Sequence, residues 1–398
     1  MPYYRRNIYI LSISIFLAAA SWTQVVPFLP LFLRELGAEQ NLLRWVGIVF
    51  AAHPVAGMLF MPYWGKLGDS YGRKPMIIRA GLCLTAIYFG MSFCTTPWQL
   101  VIFRFLNGAL TGFIPSSITL LATNTPEDHA PRAVASAQTA VAAGTIVGPA
   151  IGGLLASLIG YRGSMRLSGI AVLISTLLVL LLVKEPNKVK PSEKTSLLQD
   201  FTISMRSPIL SSILLTVMIG AMFAAAINPV LTLHLENLGG HIPAWLAGVV
   251  FSLPGVAFIM SAHLWTHLGE RKSFERVVII GLIGGAIGSF LLTTAHSIWL
   301  FASLYFAVGL WLAAISPSTA ALICSRVDES FRGRAYGMQT SATMFGSLIA
   351  PLAATQIGTA FGIPAVFMFV GTVFIIGLLL FRVMLGGWPK KEAKGEVS

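Results

Sequence analysis

The sequence predicts an all-α membrane protein, with about twelve transmembrane helices forming two pseudo-symmetric six-helix bundles. Three observations carry this expectation: long uncharged apolar runs, a scarcity of charge, and an internal repeat. Of the 398 residues, 56% are hydrophobic and 11% charged, with a mean hydropathy of +0.78. A soluble domain carries roughly 25% charged residues.

The first apolar run, Ile8–Leu33, contains no charge. It exceeds the roughly 20 residues a spanning helix needs. It is too long for a removed signal peptide and lacks the small-residue cleavage pattern of one, so it reads as a retained first helix. Further charge-poor stretches follow at Trp45–Tyr63, Pro75–Cys94, Trp98–Ala122, Ala133–Ile159, Leu167–Val183, Ile209–Leu233, Trp245–Leu264, Val277–Thr294, Ile298–Cys324, Ala335–Ile357 and Pro364–Phe381. Lipid tolerates only helices or closed barrels as spanning structures. Runs of this length exclude the short alternating strands of a barrel.

The net charge is +12. With the N-terminus in the cytoplasm, the inner side collects Arg5, Arg6, Lys66, Arg73, Lys74, Arg79, Arg132, the central segment, Arg271, Lys272, Arg276, Arg326, Arg332, Arg334 and the C-terminal tail. The outer side holds only Arg34, Arg44, Arg162 and Arg166. This asymmetry follows the positive-inside rule. It predicts cytoplasmic termini, an even helix count, and contact with anionic lipid head groups. It does not require a nucleic-acid partner. Cys83, Cys94 and Cys324 lie in or beside apolar runs without metal-like spacing and read as packing residues. No metal site or cofactor loop is expected.

The long polar segment Lys184–Pro208 falls after the sixth run. It divides the chain into a first bundle over 1–183, a cytoplasmic linker over 184–208, a second bundle over 209–385 and a cytoplasmic tail over 386–398. The bundles repeat in sequence. Pro27-Phe-Leu-Pro-Leu-Phe-Leu-Arg-Glu-Leu-Gly37 matches Pro229-Val-Leu-Thr-Leu-His-Leu-Glu-Asn-Leu-Gly239 at an offset of 202, from Pro27 to Pro229. At an offset of 201, Gly47 and Phe50 match Gly248 and Phe251. Trp64, Leu67 and Gly68 match Trp265, Leu268 and Gly269, and Gln138-Thr139 matches Gln339-Thr340. Such repeats place a central site where the halves meet.

Three motifs carry the function. The loop after the second helix reads Gly65-Lys-Leu-Gly-Asp-Ser-Tyr-Gly-Arg-Lys74. Its glycines, Gly65 and Gly72 among them, permit a tight turn, and Asp69 can pair with Arg73 or Lys74. Arg104 lies in the outer half of the fourth helix, where a charge normally pairs, lines a cavity, or snorkels to the interface. In the fifth helix, Gly144, Gly148 and Gly152 recur every fourth residue on one face, followed by Gly153. Pro149 removes a backbone hydrogen bond.

These segments resemble the major facilitator superfamily, and within it the bacterial drug:proton antiporters with twelve helices, including tetracycline-efflux carriers. The resemblance covers the first half well and the second by repetition. It implies the major facilitator fold, no enzymatic activity, a monomer, residence in the bacterial inner membrane, and proton-coupled efflux of small amphipathic compounds. It implies gating roles for Gly65, Asp69, Gly72, Arg73 and Lys74, with the loop locking the halves in the outward-facing state. It implies that Arg104 takes part in proton coupling. It identifies Gly144, Gly148, Pro149, Gly152 and Gly153 with the antiporter signature. In this fold the first, fourth, seventh and tenth helices line the cavity, which makes Trp22, Gln24, Asn107, Thr111, Asn228, Thr232 and Trp311 substrate candidates, with Gln138 and Gln339 added from the fifth and eleventh.

One departure stands out: the first helix carries no mid-membrane carboxylate. The remaining proton-coupling candidates are Asp69, Glu35, Glu236 and histidines, chiefly His53, with His234 and His263 also in or near spans. Histidine titrates near neutral pH and can relay protons. An alternative reading is a carrier of the same fold for a physiological solute such as a sugar or lipid precursor.

Overall fold

The computed structural model describes residues 2–186, 207–327 and 329–386. Among these, every regular element is helical, and eleven segments are long and apolar enough to cross a membrane. They are α1 (Tyr3–Glu35), α2 (Glu39–Tyr71), α3 (Arg73–Ser92), α4 (Pro97–Asn124), the stretch Glu127–Leu182, α7 (Pro208–Gly239), α8 (Ala244–Lys272), α9 (Phe274–Leu292), α10 (Ile298–Arg326), α11 (Arg334–Phe361) and α12 (Ile363–Met384).

The stretch Glu127–Leu182 is two spans. Its 53-residue helix, Ala130–Leu182, would measure about 80 Å at 1.5 Å per residue, against a hydrocarbon core of about 30 Å. Gly160 breaks it, with φ 75° and ψ 167°, a conformation that a Cβ disfavours. The pieces, α5 (127–160) and α6 (161–182), bring the crossings to twelve. The break uses no loop residues, so Arg162 and Arg166, counted with the outer loops from sequence, instead open α6.

Three spans pause midway. α1 passes through a 3-10 turn, Val26–Phe28, where Pro27 and Pro30 lack N–H donors. α4 stops at Ala109 and resumes at Phe113. α10 stops at Leu312 and resumes at Ile315. The last carbonyls of an ended helix lack intrahelical partners. The Trp64 indole N–H donates to the Ala109 carbonyl at 2.6 Å, and the Trp265 indole N–H donates to the Leu310 carbonyl at 2.7 Å. Both pairs sit at the 201-residue offset, so the sequence repeat reappears as one hydrogen bond made twice.

Apolar side chains gather into two clusters, one from α1–α6 and one from α7–α12. Ala244 of α8 belongs to the first, and Leu42 and Leu43 pack against the second. These exceptions lie at the face opposite the chain ends, termed here the far face; the other is the terminal face. Residues 187–206 of the expected linker and 387–398 of the expected tail lie outside the described residues.

Candidate functional site

The halves are joined at the far face, and the α5 glycines make the joint. A Cβ added at Gly144 would collide with the α1 backbone at Phe16 and Ala20, one at Gly148 with Ala20 and Thr23, and one at Gly152 with Gln24. Small residues let helix backbones approach this closely. Gly153 instead meets Ala244 and Gly248 of α8, and Gly248 abuts the Pro149 carbonyl. One short motif thus seats α5 on α1 within its own half and on α8 of the other. Gly47 of α2 meets Thr355 of α11 in the corresponding way.

Polar links cross at the same face. Arg34 Nη1 and Nη2 donate to Glu236 Oε1 and Oε2 at 3.1 and 2.8 Å, a bidentate charge-assisted geometry. The two residues occupy the same position in the repeat, 202 apart. The Thr232 hydroxyl donates to the Pro27 carbonyl at 2.6 Å, and the Trp245 N–H donates to Ser157 Oγ at 3.0 Å. Glu35 pairs with Arg162 at 3.1 Å, within the first half.

Two cavities lie toward the terminal face. One of about 610 Å³ is lined by Ser12, Ile13, Phe16 and Leu17 of α1 and by Ser136, Thr139, Ala140 and Ala143 of α5. The other, about 200 Å³, is lined by Val217, Gly220 and Ala221 of α7, Leu312, Ile315 and Ser316 of α10, and Thr343 of α11. Their walls are apolar with scattered hydroxyls. Sequence reasoning missed these small residues; the only signal was Thr139 beside Gln138.

The expected cavity residues divide. Gln24 and Thr232 are both buried, and both make hydrogen bonds. Gln24 Nε2 donates to the carbonyl and hydroxyl of Ser164, each at 3.0 Å, and Thr232 caps Pro27 across the halves. A polar group in an apolar interior is stabilised by the nearest acceptor. Thr111, Asn228 and Gln339 are half-buried, and Gln138 is exposed. Trp311 is partly exposed beside the Trp265 ring, 5.6 Å away. Trp22 lies 5.8 Å from the His53 ring.

Arg104 is 4% exposed and Asn107 1%. Arg104 Nε, Asn107 Nδ2 and His53 Nδ1 are buried without hydrogen-bond partners. Asn107 faces both His53 and Tyr88, and Arg104 lies within electrostatic range of the same two rings. His234 is buried between Phe301 and Phe367, each ring 4.9 Å away, and neither of its nitrogens has a partner. That apolar box offers no relay. His263 is exposed on α8.

At the terminal face, the segment expected as a loop is helical except at Gly72, and Asp69 in the last turn of α2 pairs with Arg73 at the start of α3. Gly72 turns the chain with φ 100° and admits the Glu185 carboxylate, whose oxygen would be 3.0 Å from an added Cβ. That carboxylate accepts from the N–H groups of Arg73 at 2.7 Å and Lys74 at 2.8 Å. An anion at a helix N-terminus is favoured by the orphan amides and the dipole. Lys74 Nζ donates to the carbonyls of Leu180 and Val183 at 2.9 and 2.8 Å, capping α6. Gly65 has open space around it. The sequence reading missed Glu185. It also missed Arg79, whose guanidinium covers the Trp64 ring at 3.5 Å and donates to the Thr111 carbonyl at 3.1 Å, holding the α4 break.

The family model described as Major Facilitator Superfamily matches residues 11–271 and again 213–397. The chain is 30% identical over 381 residues to multidrug resistance protein MdtG of Proteus mirabilis strain HI4320, covering 94% of this chain and 95% of that protein. It is 30% identical over 377 residues to the multi-drug resistance efflux pump PmrA of Streptococcus pneumoniae serotype 4, covering 93% and 94%. Among solved structures, a bacterial homologue of the human lysosomal transporter Spinster, in an inward-facing and occupied conformation, superposes with a TM-score of 0.81 at 12% identity and covers 100% of both chains.

Proposed function

The chain belongs to the major facilitator superfamily and is a multi-pass membrane transporter rather than an enzyme, and from that premise we propose that it expels small amphipathic compounds in exchange for protons by alternating access. The observation that carries this reading is the α5 seam. The Gly144–Gly153 segment, which resembles the antiporter signature, sits where α5 touches both α1 and α8, so any rocking of the halves must pass through it. The multidrug-resistance names of both relatives support the substrate class.

The excess of basic residues at the terminal face supports a cytoplasmic placement of that face and of both termini; the membrane is taken as a bacterial plasma membrane and the protein as a monomer. The far-face closure is then the outer gate, and the two cavities open inward. Apolar walls with a few hydroxyls suit amphipathic compounds. The α2–α3 junction over Gly65–Lys74 acts as the inner gate, with Asp69 free to exchange Arg73 for the other half when the inner side closes. Proton coupling draws on Glu236 at the outer gate, His53 and Arg104 at mid-membrane, and Asp69 at the inner gate; Glu35, paired within one half, is placed for a supporting role.

The test is proton movement in proteoliposomes under an imposed pH gradient, with a panel of lipophilic drugs, for the native chain and for Asp69→Asn and His53→Ala. Drug-evoked proton flux in the native chain is expected, and its loss in a variant assigns that residue to coupling. Drug movement without proton flux would remove the coupling claim. No movement of any drug would point to a dedicated metabolite.

A further inference from the structure

Arg104 carries a buried charge with no counter-charge. Among the described residues, no Asp or Glu lies inside a span beside it; Glu35 and Glu236 are engaged with Arg162 and Arg34 at the far face. The guanidinium cannot shed its proton in a protein, and holding such a charge unpaired away from water is costly. Asn107 and His53 face each other beside it, and Asn107 Nδ2 and His53 Nδ1 are buried outside normal hydrogen-bond geometry. All three come from α2 and α4, close-packed where Gly108 meets the His53 backbone. Arg104 lies seven residues into α4, about 10 Å from its start. Trp22, 39% exposed on α1, borders the cluster through its contact with His53 and gives it an apolar, accessible edge.

We infer that Arg104, with Asn107 and His53, forms a subsite for the acidic group of an amphipathic substrate, a carboxylate or comparable oxyanion, whose apolar part lies against Trp22. A guanidinium presents paired donors in a planar fork that fits a carboxylate. Asn107 Nδ2 supplies a further donor, and the substrate brings the negative charge that the helices lack. The same arrangement disfavours cations, because no carboxylate offsets Arg104. This assignment rests on the transport reading and adds its substrate chemistry: acids are taken in preference to their esters or to cationic analogues.

The test uses the purified full-length protein and three matched fluorescent probes: pyrenebutyrate, its methyl ester and a pyrenylalkyl trimethylammonium. The native protein is expected to bind the acid roughly tenfold more tightly than the ester, the increment of about one charge-assisted hydrogen bond, and the cation least. Arg104→Gln is expected to remove the preference and leave ester affinity unchanged, with Arg104→Lys restoring part of it. The acid should raise the Tm of the native protein but not of Arg104→Gln, whose ligand-free Tm should be the higher because the unpaired charge is gone. If Arg104→Gln does not fold, Asn107→Ala and His53→Gln serve, each expected to lower acid affinity several-fold and spare the ester. Equal affinity for acid and ester in the native protein would overturn the inference. So would equal weakening of both by Arg104→Gln, or an equal Tm rise from chloride or phosphate alone. Binding needs no gradient, so the two readings fail separately. Acid preference without proton-driven transport leaves the subsite and sinks the antiport; proton-driven transport without acid preference does the reverse.

Discussion

Arg34 and Glu236 hold the same position in the two repeats and meet each other, as counterpart residues do when they lie near a two-fold axis. Their bidentate bond is partly shielded, with Glu236 12% exposed at its side chain, so it resists screening better than a surface pair. Glu236→Gln is expected to weaken the far-face closure by about 1–3 kcal/mol. In a cysteine-free background carrying Ala38→Cys, a position 3% exposed at that face, maleimide labelling should rise; the exchange Arg34→Glu with Glu236→Arg should bring it back down. Unchanged labelling would deny the pair a gating role. The native cysteines report orientation. Burial pushes the Cys94 thiol up to about 11, against the pull of Arg162. The thiolate is the nucleophile, so at neutral pH Cys94 is protonated and inert, and it gains reactivity only as pH climbs toward that value. Cys324 is exposed near the terminal face. Maleimide at pH 7 should therefore modify Cys324 and spare Cys94, and in whole cells only a membrane-permeant maleimide should reach Cys324 if that face is cytoplasmic.

At the scale of elements, α5 serves two neighbours with adjacent residues, and substitutions should separate the two. Gly148→Val drives a side chain into the α1 backbone inside one half, so it is expected to cost about 1–3 kcal/mol of stability, read as a lower Tm. Gly153→Val collides with α8 of the other half, a contact that rocking can relieve. Its expected effect is increased far-face labelling with a smaller change in Tm; a Tm loss equal to that of Gly148→Val would show that the contact is structural. The every-fourth glycine spacing made the seam legible in sequence. That Gly153 faces a different partner from Gly152 was not, because the second partner comes from 95 residues away in the chain, Gly153 to Gly248. The paired breaks in α4 and α10 were equally hidden: each depends on a tryptophan, Trp64 or Trp265, arriving from another helix to take a freed carbonyl.

For the whole molecule, closure at one face and cavities toward the other correspond to one end of the alternating-access cycle proposed above. Among the described residues Asp69 forms its ion pair with Arg73, so its resting contribution is that of a partly exposed ion pair, about 1 kcal/mol or less. Asp69→Asn should accordingly leave the Tm nearly unchanged while strongly slowing transport, because its loss is felt when the terminal face must close. A large Tm loss would instead make Asp69 a folding residue. Glu185→Gln is expected to behave differently, lowering Tm by about 0.5–2 kcal/mol worth of helix capping, since its carboxylate already holds the α3 N-terminus in this state.

Length, hydropathy and charge balance in the sequence determined the spans, matched residues determined the repeat, and motif resemblance pointed to the family, because each is a local property: an apolar run must span, a glycine must turn or pack, and Lys and Arg distribute by side. Polar residues inside spans were not legible in this way. Gln24, Asn107 and Thr232 look alike on a helix, yet one ties α1 to Ser164, one faces His53 and Tyr88 beside Arg104, and one links the halves through Pro27. The same holds for Arg34, which reads as a loop charge and is half of the far-face clasp. What a polar group does in a membrane protein depends on whether an acceptor from a distant helix reaches it, and only the tertiary structure decides which helices arrive.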